Sequence, residues 1–215
     1  MTIKHEWRKA EKGVYLPKAK PVLVDLAPMN YITIEGAGSP EEERFGRCIS
    51  VLYPLAYAIK MNLKKLDNPP KGYLDYTVYP LEGFWDLNET AQQNFTGQVN
   101  KDDFVYKLML RQPDFVTREF FDEMKRVVKE KLSRKGEETD FVEHVVFETI
   151  SEGRSLQMLH VGRFADEDQS FKIMEDYADE NGLTRQSKAH KEIYLSDFRK
   201  VPEEKLKTVL RFKVV

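Results

Sequence analysis

Alternating apolar and polar positions predict a series of β-strands along the chain. In the C-terminal segment HKEIYLSD, Ile193 and Leu195 alternate with Glu192 and Tyr194, which is the period-two pattern of a strand. We expect Ile193 and Leu195 to face a core, while Glu192 and Tyr194 point to the other side. Patterns of the same kind predict strands at 22–26, 31–35, 73–79, 104–110, 142–150, 155–162 and 207–214.

Apolar residues that recur at three- and four-residue steps predict helices between these strands. The first helix has a marked beginning, because Ser39 and Glu42 have capping-box spacing and Pro40 suits a first helical position. Pro54 lies inside its apolar run. Since proline has no backbone N–H and crowds the carbonyl four residues earlier, we expect a kink or a break near Tyr53.

Two further helices follow the same logic. Thr117 is placed to cap one of them, and Asp166 with Gln169 resembles another capping box. The last helix is expected to end near Gly182, since glycine is the usual residue after a helix C-terminus.

The order of elements occurs twice, and this duplication defines the expected fold. Each half reads strand, strand, helix, strand, strand, which predicts an α+β protein with antiparallel sheets. The expected organisation is an N-terminal extension at 1–21, a first repeat with a connecting helix at 22–135 and a second repeat at 140–215. Both repeats are expected to form one compact domain, with a ligand cleft at their junction, because such junctions often bind small molecules.

Composition excludes several classes of function. The chain has 215 residues and a net charge of −2, so bulk charge gives no reason to expect nucleic-acid binding. One cysteine, Cys48, excludes an internal disulfide, and it is expected to be a buried, inert thiol. No signal peptide or membrane span is visible, which predicts a soluble cytoplasmic protein. The four histidines lack metal-site spacing and no glycine-rich phosphate loop occurs, so no metal or cofactor is expected.

Several segments together resemble the GyrI-like small-molecule-binding domains, and the stand-alone members in particular. The resemblance lies in YITIEGAGSPEEERF, DYTVYPLEGFWDL, YKLMLRQPDFVT, LQMLHVGRF and, above all, HKEIYLSDFRKVPEEKLKTVLR. It implies two pseudo-symmetric strand-helix-strand-strand units with a ligand cleft between them. It also implies hydrophobic, often cationic, ligands and, for some stand-alone members, hydrolysis of the strained ring of cyclopropanoid genotoxins.

The same resemblance implies the site residues. The functional glutamate of the family matches Glu192, and Tyr194 is carried over with it as a second catalytic residue. Phe84 and Trp85 are expected as aromatic walls for a planar ligand. Three more aromatic residues could extend this lining, although each could equally pack in the core: Tyr53, Tyr57 and Tyr76.

The residues themselves are also compatible with purely structural roles. In an arbitrary protein, Glu192 would be an exposed strand carboxylate and Tyr194 a packing residue with a polar tip. If Glu192 faces a cleft, burial would disfavour its charged form. Glu82 is a second carboxylate at a comparable place in the first repeat, where a solvated loop position is expected. His160 is expected to be a core histidine with satisfied hydrogen bonds.

Three functions remain at this point. The leading hypothesis is a hydrolase of electrophilic aromatic xenobiotics, with Glu192 as general base on an attacking water. The alternative is a module that binds or sequesters hydrophobic, in some cases cationic, molecules without chemistry. A third, inhibition of gyrase, rests only on the family name and is disfavoured. A DNA-binding role is also disfavoured, because the residues before Val22 leave no room for a helix-turn-helix.

Overall fold

The structure is a computed structural model that describes residues 4–215. The described residues form ten strands: β1 (Lys4–His5), β2 (Val22–Leu26), β3 (Met29–Ala37), β4 (Asp75–Tyr76), β5 (Leu81–Leu87), β6 (Phe104–Gln112), β7 (Val146–Ile150), β8 (Gly153–Val161), β9 (His190–Tyr194) and β10 (Lys207–Lys213). They also form seven α-helices: α1 (Trp7–Ala10), α2 (Lys12–Tyr15), α3 (Glu43–Leu63), α4 (Glu89–Gln93), α5 (Arg118–Arg134), α6 (Asp140–Glu143) and α7 (Glu167–Glu180).

The chain divides into two compact units. The first contains residues 4–6 with Met29–Tyr79 and Leu87–Ile150. In this unit, β3 pairs antiparallel with both β6 and β7. Helix α3 packs on β3 and β6, and α5 packs against α3, so one apolar layer lies between sheet and helices.

The second unit contains Trp7–Pro28, Pro80–Asp86 and Ser151–Val215. Its antiparallel strands follow the order β2-β8-β10-β9-β5. Helix α7 packs on β8. The core between helix and sheet contains a cluster of buried apolar side chains: Leu156, Met158, Met174, Ala178, Leu183, Leu210, Phe212 and Val214.

The predicted α+β fold with repeated element order is confirmed. Each half of the chain contributes two strands, a helix and two more strands: β2, β3, α3, β5 and β6 in the first, and β7, β8, α7, β9 and β10 in the second. The two spatial units nevertheless do not coincide with the two halves of the sequence. Strand β2 of the first half pairs with β8, and β7 of the second half pairs with β3.

Two expectations for the first long helix were wrong. Helix α3 begins at Glu43 and not at Pro40, although a capping turn precedes it: the Ser39 N–H donates to the Glu42 carboxylate and the Glu41 N–H donates to the Ser39 hydroxyl. Pro54 does not break the helix either. Proline costs about 3 kcal/mol inside a helix, but its ring lies on the exposed side here, whereas Leu52 and Leu55 beside it are fully buried. Burial of that apolar face keeps α3 continuous.

The prediction of a strand at 73–79 was also wrong. Only Asp75 and Tyr76 form a strand, which pairs in parallel with β1. The long strand is β5, which begins directly after Pro80. Because proline cannot donate to a strand ladder, β5 begins where backbone donors are available again. Glu82, Phe84 and Trp85 therefore lie inside a strand and not in a loop or at a strand end.

A cross-strand glycine–tyrosine contact organises the core of the first unit. Gly36 on β3 is paired directly with Tyr106 on β6, and the phenol ring lies over the glycine. A Cβ at Gly36 would approach the ring to 2.3 Å. Phe45 of α3 holds that ring in an edge-on contact at 5.2 Å. Cys48 of the same helix is buried as expected, and burial raises the pKa of its thiol.

We expect Gly36→Ala to destabilise the protein by about 1–3 kcal/mol, the usual cost of overpacking. The matched control is Gly46→Ala, within α3, where an added Cβ meets nothing within 4 Å. That change should stabilise by about 0.5–1 kcal/mol, because alanine is the better helix former. Urea denaturation measures both. Equal effects of the two changes would contradict the proposed contact.

Candidate functional site

Strand β9 carries the residues on which the site depends, and both of its faces are buried. It lies between β10 and β5, so that Glu192 is directly paired with Leu210 on one side and Gly83 on the other. Side chains alternate between the faces of a strand. His190, Glu192 and Tyr194 therefore share one face, and Lys191 and Ile193 share the other. Gly83 adds no side chain beside Glu192.

The face with Lys191 contains a network of buried charges. Lys191 donates to Glu82 at 3.0 Å and to Glu152 at 2.6 Å. Arg211 on β10 donates two bonds to Glu152 and two to Gln157. Two cations thus face two carboxylates. Although burial acts to raise the pKa of Glu152, the charges of Lys191 and Arg211 lower it to about 2.

The N-terminal segment completes this network. Arg211 donates to the carbonyl of Val14 at 3.0 Å, and Gln157 donates to the carbonyl of Gly13 at 2.7 Å. The Tyr15 hydroxyl lies 3.4 Å from Glu82. The expectation that Glu82 occupies a solvated loop was therefore wrong, since its side chain is buried and paired with Lys191.

The opposite face carries the predicted acid. Glu192 is only 8% exposed, and its Oε1 lies 3.1 Å from Nε2 of His190. Trp85 donates from its indole nitrogen to the Tyr194 hydroxyl at 2.9 Å. Burial raises the pKa of Tyr194 well above its ordinary value, and the charge of Glu192 and a hydrogen bond to it raise it further. Trp85, Tyr194 and Glu192 therefore form one connected chain.

A second carboxyl lies beside Glu192. Glu167, the first residue of α7, is 6% exposed. Burial raises the pKa of Glu167 well above its ordinary value, and the charge of Glu192 and a hydrogen bond to it act in the same direction. The positive N-terminal end of a helix would favour its ionised form, but that effect rarely exceeds about 2 kcal/mol. Burial and the neighbouring charge outweigh it, so the protonated form of Glu167 is favoured.

Helix packing determines where Glu167 lies. The apolar stripe of α7 packs on the sheet through Met174 and Ala178. Its first turn is tied to β8, because Nδ1 of His160 lies 2.9 Å from the Ser170 hydroxyl. The other ring nitrogen of His160 lies 3.0 Å from the carbonyl of Arg163. His160 is thus a satisfied core histidine, as predicted.

Aromatic rings pack against Tyr194 and His190, the two residues that flank Glu192 on its face of β9. Phe164 contacts Tyr194 edge-on at 5.9 Å, and Phe198 contacts it at 6.4 Å. Phe171 lies against the ring of His190 at 4.7 Å. Phe164 is partly exposed. Such rings offer flat apolar surfaces to a planar molecule.

The structure brings together three of the predicted site residues: Glu192, Tyr194 and Trp85. Phe84 is paired with Lys191 and therefore lies on the opposite face of the sheet, 37% exposed. The other three lie in the first unit. Tyr53 is half-buried on α3, Tyr57 is exposed and lines a groove beside α5, and Tyr76 is buried with its ring edge-on to Phe115.

Glu167 was missed by the sequence analysis. Acidic residues are common in the first turn of a helix, where they normally face solvent. Nothing in the local pattern distinguishes Glu167 from Asp168 beside it, which is exposed. Only the contact with β9 separates the two.

The chain belongs to the family of GyrI-like small molecule binding domains, whose sequence profile matches residues 19–215. A hydrolase from Listeria innocua is 35% identical over 99% of this chain and the whole of its own, with a TM-score of 0.85. Another structure of a hydrolase from that organism is 34% identical over 98% of this chain and all of its own, with a TM-score of 0.83.

The fold is also similar to that of a structure with much lower sequence identity. The C-terminal domain of EcmrR is 10% identical over 91% of this chain and 97% of its own, with a TM-score of 0.52. A search among curated proteins returned no significant match. Within residues 4–215, no helix combines the length and apolarity that a membrane crossing requires. Over the same range, no three His, Cys, Asp or Glu side chains are arranged to hold a metal ion.

We expect Lys191→Met to cost about 3–5 kcal/mol of folding free energy, because the carboxylates it pairs with would stay buried without it. Lys188→Met is the matched control, since Lys188 is exposed and paired only with Glu175 at the surface. An exposed pair contributes less than about 1 kcal/mol. Urea denaturation distinguishes the two, and a small effect at Lys191 would contradict the buried network.

Glu167→Gln should raise the melting temperature, increasingly so at higher pH. The folded-state pKa of Glu167 lies above its unfolded value, so this group costs stability as pH rises from the ordinary carboxyl pKa through the raised folded one. Glutamine is neutral throughout and avoids that loss. Melting curves at a series of pH values test this, with Asp168→Asn as the exposed control. A difference that stays constant with pH would refute the buried acid pair.

Proposed function

We propose that this protein hydrolyses planar, electrophilic small molecules, cyclopropanoids among them, and that Glu192 is the general base. The observation that carries the proposal is the acid pair in aromatic surroundings. Two carboxyls this close do not both ionise readily, so one acid holds a proton while the other is available to accept one. The similarity to hydrolases from Listeria innocua supports the same reaction class.

In the proposed reaction, a planar substrate lies among the rings near Tyr194, with Trp85 as one wall. Glu192 takes a proton from a water molecule, whose oxygen bonds to the less hindered carbon of the strained ring. The carbon–carbon bond to that atom breaks, and its electron pair moves into the conjugated carbonyl group. A proton then reaches the carbonyl oxygen. Positioned acid–base catalysis of this kind contributes about 10²- to 10⁴-fold.

Tyr194 has a positioning role in this proposal. Its hydroxyl accepts a hydrogen bond from Trp85 and is hydrogen-bonded to Glu192. An acceptor already filled by Trp85 leaves the hydroxyl proton for the carboxylate. Tyr194 therefore holds Glu192 in one orientation beside the aromatic wall.

A binding function without chemistry is the second candidate. A carboxylate among aromatic rings also suits a planar organic cation, which gains both charge attraction and cation–π contact. On this alternative the acid pair provides affinity alone. Turnover separates the two candidates directly.

We expect Glu192→Gln to lose at least about a hundredfold in turnover of a cyclopropanoid while still binding a non-reactive planar analogue. Glutamine keeps the size of the side chain but cannot accept the proton from water. Product mass and ligand fluorescence, followed together, measure both quantities. Glu180→Gln is the control, because that carboxylate is exposed at the C-terminal end of α7, whereas Glu167 begins the helix. Retained turnover in Glu192→Gln would remove the general base from the mechanism.

A further inference from the structure

The carboxyl of Glu167 has an oxygen that its surroundings do not satisfy. Its Oε1 is buried and lacks a hydrogen-bond partner among residues 4–215. The charge of the neighbouring Glu192 carboxyl acts on the same group. A buried polar atom without a partner is costly, and in native proteins it commonly marks a place where water or a ligand binds.

We propose that Glu167 is the general acid of this site and that its carboxyl delivers a proton to the substrate oxygen on which charge develops. This inference rests on the proposed hydrolase function. It assigns different tasks to the two carboxyls: Glu192 removes a proton from water, and Glu167 supplies one. Enzymes that divide acid and base work between two carboxyls place them in environments that hold opposite protonation states.

The environment of Glu167 suits a proton donor. Three titratable groups act on Glu167: the carboxyls of Glu192 on β9 and Asp168 in its own helix, and the phenol of Tyr194. The negative charge of each carboxylate opposes ionisation of Glu167. Together with burial, these charges raise the pKa of Glu167 well above its ordinary value and favour its protonated form. His190 is hydrogen-bonded to Glu192 and so acts on the other member of the pair.

The two carboxyls, Glu192 and Glu167, together account for every proton that is transferred. When the ring opens, the electron pair of the broken carbon–carbon bond becomes negative charge on the conjugated carbonyl oxygen, and Glu167 protonates that oxygen. Glu192 has by then received a proton from water, and Glu167 is ionised. Transfer of one proton along the hydrogen bond between the two carboxyls restores the starting state. The sum of the steps is the addition of one water molecule.

The test is the pH dependence of kcat/KM with a spirocyclopropyl cyclohexadienone as substrate. The unmodified protein should give a bell-shaped profile, with an alkaline limb where Glu167 loses its proton. Glu167→Gln should lower the rate about 10²- to 10⁴-fold and abolish the alkaline limb, because glutamine neither donates nor titrates. Glu167→Asp, which keeps an acid, should restore part of the rate together with an alkaline limb.

Two controls isolate the effect. Asp179→Asn removes an exposed acid from the far end of the same helix, outside the groups that act on Glu167, and should leave the rate within about twofold because an exposed, solvent-screened charge contributes little. His190→Gln should keep the alkaline limb. If that limb disappears in His190→Gln and persists in Glu167→Gln, His190 is the titrating group and the inference is overturned.

The outcomes also separate this inference from the proposed function. Turnover by the unmodified protein with an unchanged rate and pH profile in Glu167→Gln would overturn the role of Glu167 and leave Glu192 as base. Absence of turnover in the unmodified protein would overturn both. Melting curves and binding of the non-reactive analogue show whether each variant is folded, and a folded Glu167→Gln protein that binds the analogue but turns over slowly supports the inference.

Discussion

The burial of both faces of β9 is the constraint on which the rest of this structure depends. Two charged residues follow one another along the strand, so Lys191 and Glu192 must each be accommodated away from water. A buried ion is costly unless other groups compensate its charge. On the face of Lys191 the compensation is complete, with Glu82 and Glu152 as its partners. On the face of Glu192 the neighbouring group is a second buried carboxyl, Glu167, whose pKa is raised by burial and by the charge of Glu192.

These two solutions give the two faces different physical properties. The paired network joins β9 and β10 to the N-terminal segment through Arg211 and fixes the strand. The acid pair stores a proton in an aromatic environment. A rigid strand on one side therefore supports a reactive arrangement on the other, since β9 presents Glu192 in one position relative to α7.

Much of the fold follows from local pattern. The alternation around Ile193 predicted β9, Thr117 was identified as a helix cap, and the repeated element order predicted the α+β class. Prediction from local pattern failed where the preference of a single residue opposes the packing of its element. Pro54 predicted a kink or a break, and the break does not occur, because burial of the apolar face of α3 outweighs the cost of proline. Pro80 led to a strand before it, whereas β5 follows it. The exchange of β2 and β7 between units has no local signature at all.

For the site, strand periodicity placed Glu192 and Tyr194 on one face of a strand, and family resemblance proposed these two and Trp85 as site residues. The sequence by itself could not show that Lys191 and Arg211 are satisfied, that Glu82 is buried, or that Glu167 faces Glu192. Those facts depend on which elements pack together, and the charge state of a carboxyl is set by neighbours far away in sequence. Only the tertiary structure shows that Glu82 is paired with the cation Lys191, whereas Glu192 lies beside another acid, Glu167.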